Sequence, residues 1–411
     1  MKTNNNFAWI AALCCCFLIA NSPAKAQITS KAQWDSAFQK RYPDGDPLLE
    51  ITNGDEDGKF SWHAHYWIRA YVSMAATFND TAYLEKAVKL IDHLLYYRDD
   101  ARDARGEIDI RATPYLSAPL YYLHHRDKAA PGWRNREHRH SWRIHVLFDG
   151  QITHAIMRFV DLALNRADFS AYRPKARAYL SRVEETVNAH NSLFVFDRFP
   201  DVPGSYYYPN PDGSGLYRGT VPFNHNATMG VTLLLLDKVK GGVPQYRQKA
   251  RAILDFFKHY AITTPDSAYF WEYNFRAKNP VAEDFNHAHI DLSFFVTAYY
   301  CGLNFSETDM LRFANTLTKK IYKDGELSWF IDGTNDPSKN SYWPIGFDWL
   351  DLAEFDPAIF DIAKAYYQKN YPSPNWARPF LGWAELLRWK QISLPGSDRP
   401  PAAPKNLKIT K

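Results

Sequence analysis

Three nine-residue stretches of this chain are close copies of one another: YLEKAVKLI (83–91), YRPKARAYL (172–180) and YRQKARAIL (246–254). The second and third differ only where Pro174 stands against Gln248 and Tyr179 against Ile253. Each opens a helix whose apolar residues recur at the spacing of a single face. In the first copy these are Leu84, Ala87, Val88, Ile91, Leu94 and Leu95; in the third, Ala250, Ile253, Leu254 and Phe257. Asn79-Asp80-Thr81 supplies a capping group ahead of the first copy. A weaker fourth copy runs through Met310, Leu311, Ala314, Leu317 and Ile321 and stops at Lys323-Asp324-Gly325.

Each one-faced helix follows a more uniformly apolar one, at roughly 65–78, 150–164, 225–236 and 287–303. A fifth apolar stretch, 346–354, precedes a helix at 357–370, and a helix at 378–391 closes the series. A helix that is apolar all round must be covered on every side, whereas a one-faced helix covers something else. Repeated alternation of the two kinds predicts an inner and an outer layer. The expected fold is all-α: an (α/α) toroid of six or seven helical hairpins over residues 27–392. Short aromatic runs near 193–199, 205–208 and 268–275 are expected as small hairpins or loop segments.

The ends are set apart from this core. MKTNNNFAWIAALCCCFLIANSPAKAQ reads as a secretory signal peptide, 1–26, with a charged start, an apolar stretch from Phe7 to Ala20 and the small-x-small pattern Ala24-Lys25-Ala26. The expected destination is the periplasm or the extracellular space. Removing the leader takes three of the four cysteines and leaves Cys301, so no internal disulfide can form and the core must be self-sufficient. It also takes Lys2 and Lys25, so 49 basic residues become 47 against 45 acidic and the net charge falls from +4 to +2. Near neutrality gives no general argument for a nucleic-acid partner. The end of the chain, 393–411, is Pro-rich and reads as a flexible tail.

In a toroid the loops entering the inner helices gather on one face. Here they read SWHAHYW (61–67), FDGQITH (148–154), PFNHNAT (222–228), NHAHIDL (286–292) and WPIGFDW (343–349). Helix N-termini present unpaired N–H groups and a positive dipole end, so a ring of them attracts anions. Helix capping by Asn, Asp and His accounts for any one mouth; five in succession point to a shared cavity. The insertion from Arg98 to His145 adds a cationic stretch at 124–145. Aromatic residues make up 16% of the chain, and Trp rings suit the apolar faces of sugars, although most such rings fill cores.

The chain contains no G-x-S-x-G, HExxH, phosphate-loop or G-x-G-x-x-G pattern. H-x-H occurs twice, at His63/His65 and His287/His289, but residues two apart on a helix point to different sides. No metal and no cofactor are therefore expected. Cys301, within an apolar helix, is expected in the core rather than as a nucleophile.

An exported helical toroid with Asn224-His225 at one inner mouth and Arg276 about fifty residues on resembles the polysaccharide lyases that act on polyuronates, the alginate and glucuronan lyases with (α/α) barrels. The chain departs from that pattern at the tyrosine: Tyr273 precedes Arg276 in WEYNFR, and His287 or His289 follows it. The resemblance implies β-elimination from an acidic polysaccharide, by a monomer that needs neither nucleic acid nor, once mature, a membrane. Asn224, His225 and Arg276 would neutralise the uronate carboxylate so that the C5 proton becomes removable. Tyr273 and His287 would serve as base and acid, the phenol lowered by nearby cations. Glu283 and Asp284 would orient the imidazoles or cap the helix. His63, His65 and His289 would line the substrate site, with Trp62, Trp271 and Trp343 stacking on sugars.

Two other readings use the same scaffold. A glycoside hydrolase would need two carboxylates, Glu283 or Asp284 with Asp149 or Asp348. A uronate C5-epimerase would share the lyase's proton abstraction without cleavage. A non-catalytic glycan-binding protein would explain the aromatics but not the clustered His, Arg and Tyr.

Overall fold

The computed structural model describes residues 28–45, 47–108, 129–136, 143–209, 215–335 and 347–392. The leader, the tail, Trp343 and half of the cationic stretch at 124–145 lie outside those residues.

Helices α1 (Lys31–Arg41), α2 (His65–Phe78), α3 (Thr81–Tyr96), α4 (Asp99–Ala104), α5 (Val146–Asn165) and α6 (Arg173–Ala189) form the first half. Helices α7 (Phe223–Val239), α8 (Pro244–Tyr260), α9 (Phe285–Tyr300), α10 (Glu307–Asn315), α11 (Ala358–Asn370) and α12 (Ala377–Ile392) form the second. A 3₁₀ segment, Phe347–Glu354, stands between α10 and α11. In order around the axis, α2, α5, α7, α9, the 347–354 segment and α12 each pack on the next, and α12 returns to α2. This is a closed inner ring of six. The partners α1, α3, α6, α8, α10 and α11 precede the inner elements one by one in the chain. The fold is thus an (α/α) toroid of six hairpins. The first of them needs α1, which the sequence reading passes over because only Trp34 and Phe38 of that helix are buried.

Residue chemistry accounts for the layering. In α7 every residue from Phe223 to Asp237 is buried, because the helix meets two ring neighbours, an outer helix and the axis. In α3 burial falls on Tyr83, Leu84, Ala87, Leu90, Ile91 and Leu94, the one stripe that faces inward. The turn between α2 and α3 is two residues long. Asn79 takes a left-handed φ of 51° to end α2, and the Asp80 side chain accepts from the Ala82 amide to start α3. The ring is sealed where Trp34 Nε1 donates to the Phe380 carbonyl at 3.0 Å, its ring edge-on to Phe380.

Strands are short and lie in the loops. β1 (Arg134–Asn135) pairs with β2 (Arg143–Ile144), and β3 (Phe194–Phe199), β4 (Val202–Pro209) and β5 (Leu216–Thr220) form an antiparallel sheet before α7. Two further hairpins pair β6 (Ile262–Thr263) with β7 (Tyr269–Phe270) and β8 (Tyr322–Lys323) with β9 (Glu326–Leu327). Among the described residues no helix is long and apolar enough to cross a membrane.

Inner helices α5 and α7 approach closely at Gly150, where a Cβ would stand 2.4 Å from Thr228 Oγ1 and 3.0 Å from the Met229 amide nitrogen. The backbone atom cannot give way without moving the helix. Gly150→Ala is expected to cost about 1–3 kcal/mol, the usual cost of overpacking a core. Urea unfolding checks this, and an unchanged midpoint would contradict the close approach.

Candidate active site

A π turn, Phe60–Ala64, carries the chain into α2 and sends the two histidines of HAH in different directions. His63 is partly exposed, with its ring 6.4 Å from that of Trp376. His65 is wholly buried, and neither ring nitrogen has a hydrogen-bond partner. Four residues on, and so on the same helix face, Arg69 donates to Asp348 Oδ1 at 2.5 Å. The other oxygen of Asp348 lies 3.0 Å from His289 Nδ1. A carboxylate takes the proton-bearing nitrogen, so the lone pair of His289 is at Nε2, which is buried and without a partner. His289 comes from the second turn of α9, whose first turn is capped by Asp284 accepting from the Asn286 and His287 amides.

Electrostatics keep these imidazoles neutral. Burial lowers His65 well below its ordinary value, and Arg69 and Arg378 add to the effect. Burial likewise takes His289 to about 4, with Asp348 opposing and Arg378 and Arg69 assisting. Burial would raise Asp348, but Arg69 and His289 outweigh it and hold the carboxyl at about 2. Arg378 joins from α12, donating to Asn286 Oδ1 at 2.6 Å with its guanidinium 4.8 Å from the Tyr66 ring centre. From α5, His154 accepts at Nε2 from Arg158 Nε at 3.0 Å. Burial, then Arg69 and Arg158, pull His154 far below its usual value. The axis therefore holds three neutral imidazoles, three guanidinium groups and one ionised carboxylate.

Nearer the mouth, His225 Nδ1 lies 2.7 Å from the Tyr208 hydroxyl, and its ring is 4.9 Å from that of His145. His145 packs on Phe148, which packs edge-on against Trp62. Beside His225, both polar atoms of the Asn224 amide are buried without partners. Tyr273 lies tilted against His287, ring centres 5.3 Å apart, and its carbonyl accepts from the Phe223 amide at the start of α7. Asn224, His225, Tyr273 and His287 thus occupy neighbouring mouths, with Trp62, His63, Tyr273, His287 and Trp376 partly exposed at the rim.

Several expected roles do not survive. Arg276 sits in a left-handed conformation, φ 72°, and pairs with Asp201 and lies over the Phe199 ring, so its charge is spent away from the imidazoles. Trp271 is fully buried, donating to Asp291 Oδ2 at 2.9 Å, and has no free face for a sugar. Tyr273 is not lowered by cations. Burial, then Glu283, Asp284 and Asp291, push it up to about 12, so it stays a phenol. Burial raises both Glu283 and Asp291 well above the carboxylate range, with Asp291 and Asp284 adding to it at Glu283 and Asp284 adding to it at Asp291. Cys301 caps α9, packs partly buried against the core and also borders a cavity.

The carboxylates available to a hydrolase are likewise committed. Asp149 is buried, accepting from the Trp133 amide at 3.0 Å and lying 2.8 Å from His190 Nε2. Asp284 caps α9 and holds His287 Nδ1 at 2.6 Å. Donor atoms of Glu283, Asp284 and His287 lie within 4.8 Å of one another. The α9 N-terminus, with its positive dipole end and amides already bonded to Asp284, works against a cation there. The two H-x-H pairs do not converge: His287 turns to Asp284 and His289 to Asp348.

The residues missed at the sequence level are Arg69, His154, Arg158, Asn286 and Arg378. A signal for three of them exists: HYWIR (65–69) and HAIMR (154–158) each set His and Arg four apart within an apolar helix.

No protein family model matches the chain, and no curated protein does. Solved structures do. Cellobiose 2-epimerase from Bacillus thermoamylovorans aligns with a TM-score of 0.54 at 12% identity, covering 88% of this chain and 99% of that one. An inactive variant of an alpha-1,6-mannanase from Salegentibacter aligns at 0.50 and 9%, covering 87% and 97%. The unsaturated glucuronyl hydrolase from Bacillus sp. GL1 aligns at 0.50 and 12%, covering 88% and 94%. At these identities the likeness is one of fold.

The depressed His289 sets a pH dependence. Its folded value of about 4 lies below the ordinary 6.5, so the unfolded chain binds the proton first as pH falls. Stability from this group is complete above about pH 6.5 and is lost as pH drops toward about 4. Denaturant unfolding across that window is expected to show a slope that His289→Gln flattens; an equal slope in the variant would contradict the assignment.

Proposed function

We propose that this protein is a carbohydrate-active enzyme that moves a proton at a sugar carbon next to a carboxylate, and that its reaction is β-elimination from an acidic polysaccharide. One observation carries the reading: Arg69 fixes Asp348, Asp348 fixes His289 Nδ1, and His289 Nε2 is left neutral and unpartnered on the axis. That is a base whose tautomer is set and whose lone pair is unpartnered at neutral pH. The fold likeness to a mannanase, a cellobiose epimerase and a glucuronyl hydrolase supports a saccharide substrate. The committed state of Asp149, Asp284 and Asp348 argues against a two-carboxylate hydrolysis.

In this mechanism Arg378, with Asn286, faces the substrate carboxylate and stabilises the charge that develops on it. His289 Nε2 takes the C5 proton. The electron pair forms the C4=C5 bond, and O4 departs with a proton from His65, whose neutral imidazole carries one N–H. His63, Trp62 and Trp376 border the path of the chain at the rim. Exported localisation is part of the proposal, since a polymer is met outside the cytoplasm.

A second reading, epimerisation, is favoured by two neutral imidazoles on different inner helices, His65 with neither nitrogen bonded and His289 with Nε2 unbonded. The two reactions give different products. Elimination yields ultraviolet-absorbing unsaturated ends; epimerisation in heavy water yields deuterated sugar of unchanged length.

His289→Ala is expected to lower turnover of alginate, glucuronan or a glycosaminoglycan by about 10²–10⁴-fold, the usual contribution of a positioned base. Truncating a buried imidazole that holds Asp348 lowers the unfolding midpoint, so turnover is compared at a temperature where the variant is fully folded. Undiminished turnover in the variant, or cleavage by the parent without ultraviolet absorbance, would overturn the reading.

A further inference from the structure

β5 is the edge strand of the sheet that leads into α7, and its Tyr217 is 54% exposed. Tyr207 pairs with Thr220 and Pro209 with Leu216, so between those pairs Tyr208 alone stands against Tyr217, Arg218 and Gly219. Side chains alternate along a strand, which puts Tyr217 and Gly219 on the face of the sheet that carries Tyr208. That face belongs to the mouth. The Tyr208 hydroxyl lies 2.7 Å from His225 Nδ1, and its ring is 5.0 Å from that of His145.

Tyr217 is also held in place. Its ring lies along Gly219, where an added Cβ would stand 3.2 Å from Tyr217 Cε1. From the other face, Arg198 of β3 crosses β4 with its guanidinium 4.4 Å from the Tyr207 ring centre. It donates to the Tyr217 carbonyl at 2.8 Å and to the Leu216 carbonyl at 3.1 Å, which clamps the backbone of the edge strand. A ring fixed in this way offers its outer surface to a ligand at little cost in side-chain entropy. At about 3.3 Å per residue, Tyr217 stands roughly 10 Å along β5 from Thr220, the last residue of the strand before α7. An aromatic ring set back that far meets the later units of a bound polymer rather than the sugar on the axis.

We propose that Tyr217 is a stacking platform for the polysaccharide chain, a subsite outside the mouth that holds one pyranose of the substrate against the face of its ring. The platform rests on the acidic-polysaccharide reading given above and adds to it a preference for long chains. It takes no part in proton transfer, so it acts on affinity and not on the chemical step.

Calorimetric titration with the disaccharide and the octasaccharide of alginate, of glucuronan and of hyaluronan tests it. The full chain carries His289→Ala, so that ligand is not consumed, at a temperature where that variant is folded. For the polymer this protein takes, the octasaccharide is expected to bind more tightly than the disaccharide. Adding Tyr217→Ala should weaken the octasaccharide by about fivefold or more, the scale of a truncated aromatic anchor, and leave the disaccharide unchanged. Tyr217→Phe, which keeps the ring, should bind as the parent does. Octasaccharide affinity untouched by Tyr217→Ala, an equal loss for the disaccharide, or Tyr217→Phe behaving as Tyr217→Ala would overturn the platform alone. Absence of binding by all three octasaccharides would overturn the acidic-polysaccharide reading, and the platform with it.

Discussion

A single ion pair across the axis, Arg69 with Asp348, organises the interior of this toroid. It joins α2 to the 347–354 segment on the far side of the chain, and both charges are almost wholly out of water. Such a pair is costly to desolvate and is retained only where its geometry is good, and removing one partner leaves an uncompensated buried charge. Here it does three things at once. It ties two inner elements that are distant in sequence, it fixes the tautomer of His289, and it divides the mouth from the cavity at the opposite end.

Neutral histidines follow from that arrangement. Guanidinium groups on three inner helices raise the local potential, and burial removes the water that would stabilise imidazolium. The same potential favours an anionic group entering from the mouth. Neutral imidazoles are then a consequence of placing arginine, rather than more histidine, among the axial residues of the inner helices.

Much of the architecture was readable in the chain. The two-layer pattern shows because inner and outer helices bury different fractions of their surface, and the helices near 65–78, 225–236 and 287–303 lie where apolar periodicity puts them. Helix α1 was not readable, since two buried aromatics in QWDSAFQK leave too faint a stripe. At the site, the polar mouths were legible as interruptions ahead of apolar runs. Arg69 and Arg158 were hidden because each is a charge inside a mainly apolar helix, recognisable through its histidine four residues before. Arg276 misled for the opposite reason: its spacing from Asn224-His225 fits a family pattern, but its left-handed backbone and Asp201 turn it aside. Trp271 shows that an indole beside polar residues can be a core ring satisfied by a buried carboxylate.

The seal between Trp34 and Phe380 joins residues 346 positions apart in the chain. A growing polypeptide can stack successive hairpins as they emerge, yet the circle stays open, with an apolar flank of α2 uncovered, until α12 is complete. Such late closure makes the unfinished protein a natural client for chaperones. It also means that losing α12 removes a wall of the lumen and losing α1 strips the cover from one, so neither end is a peripheral appendage.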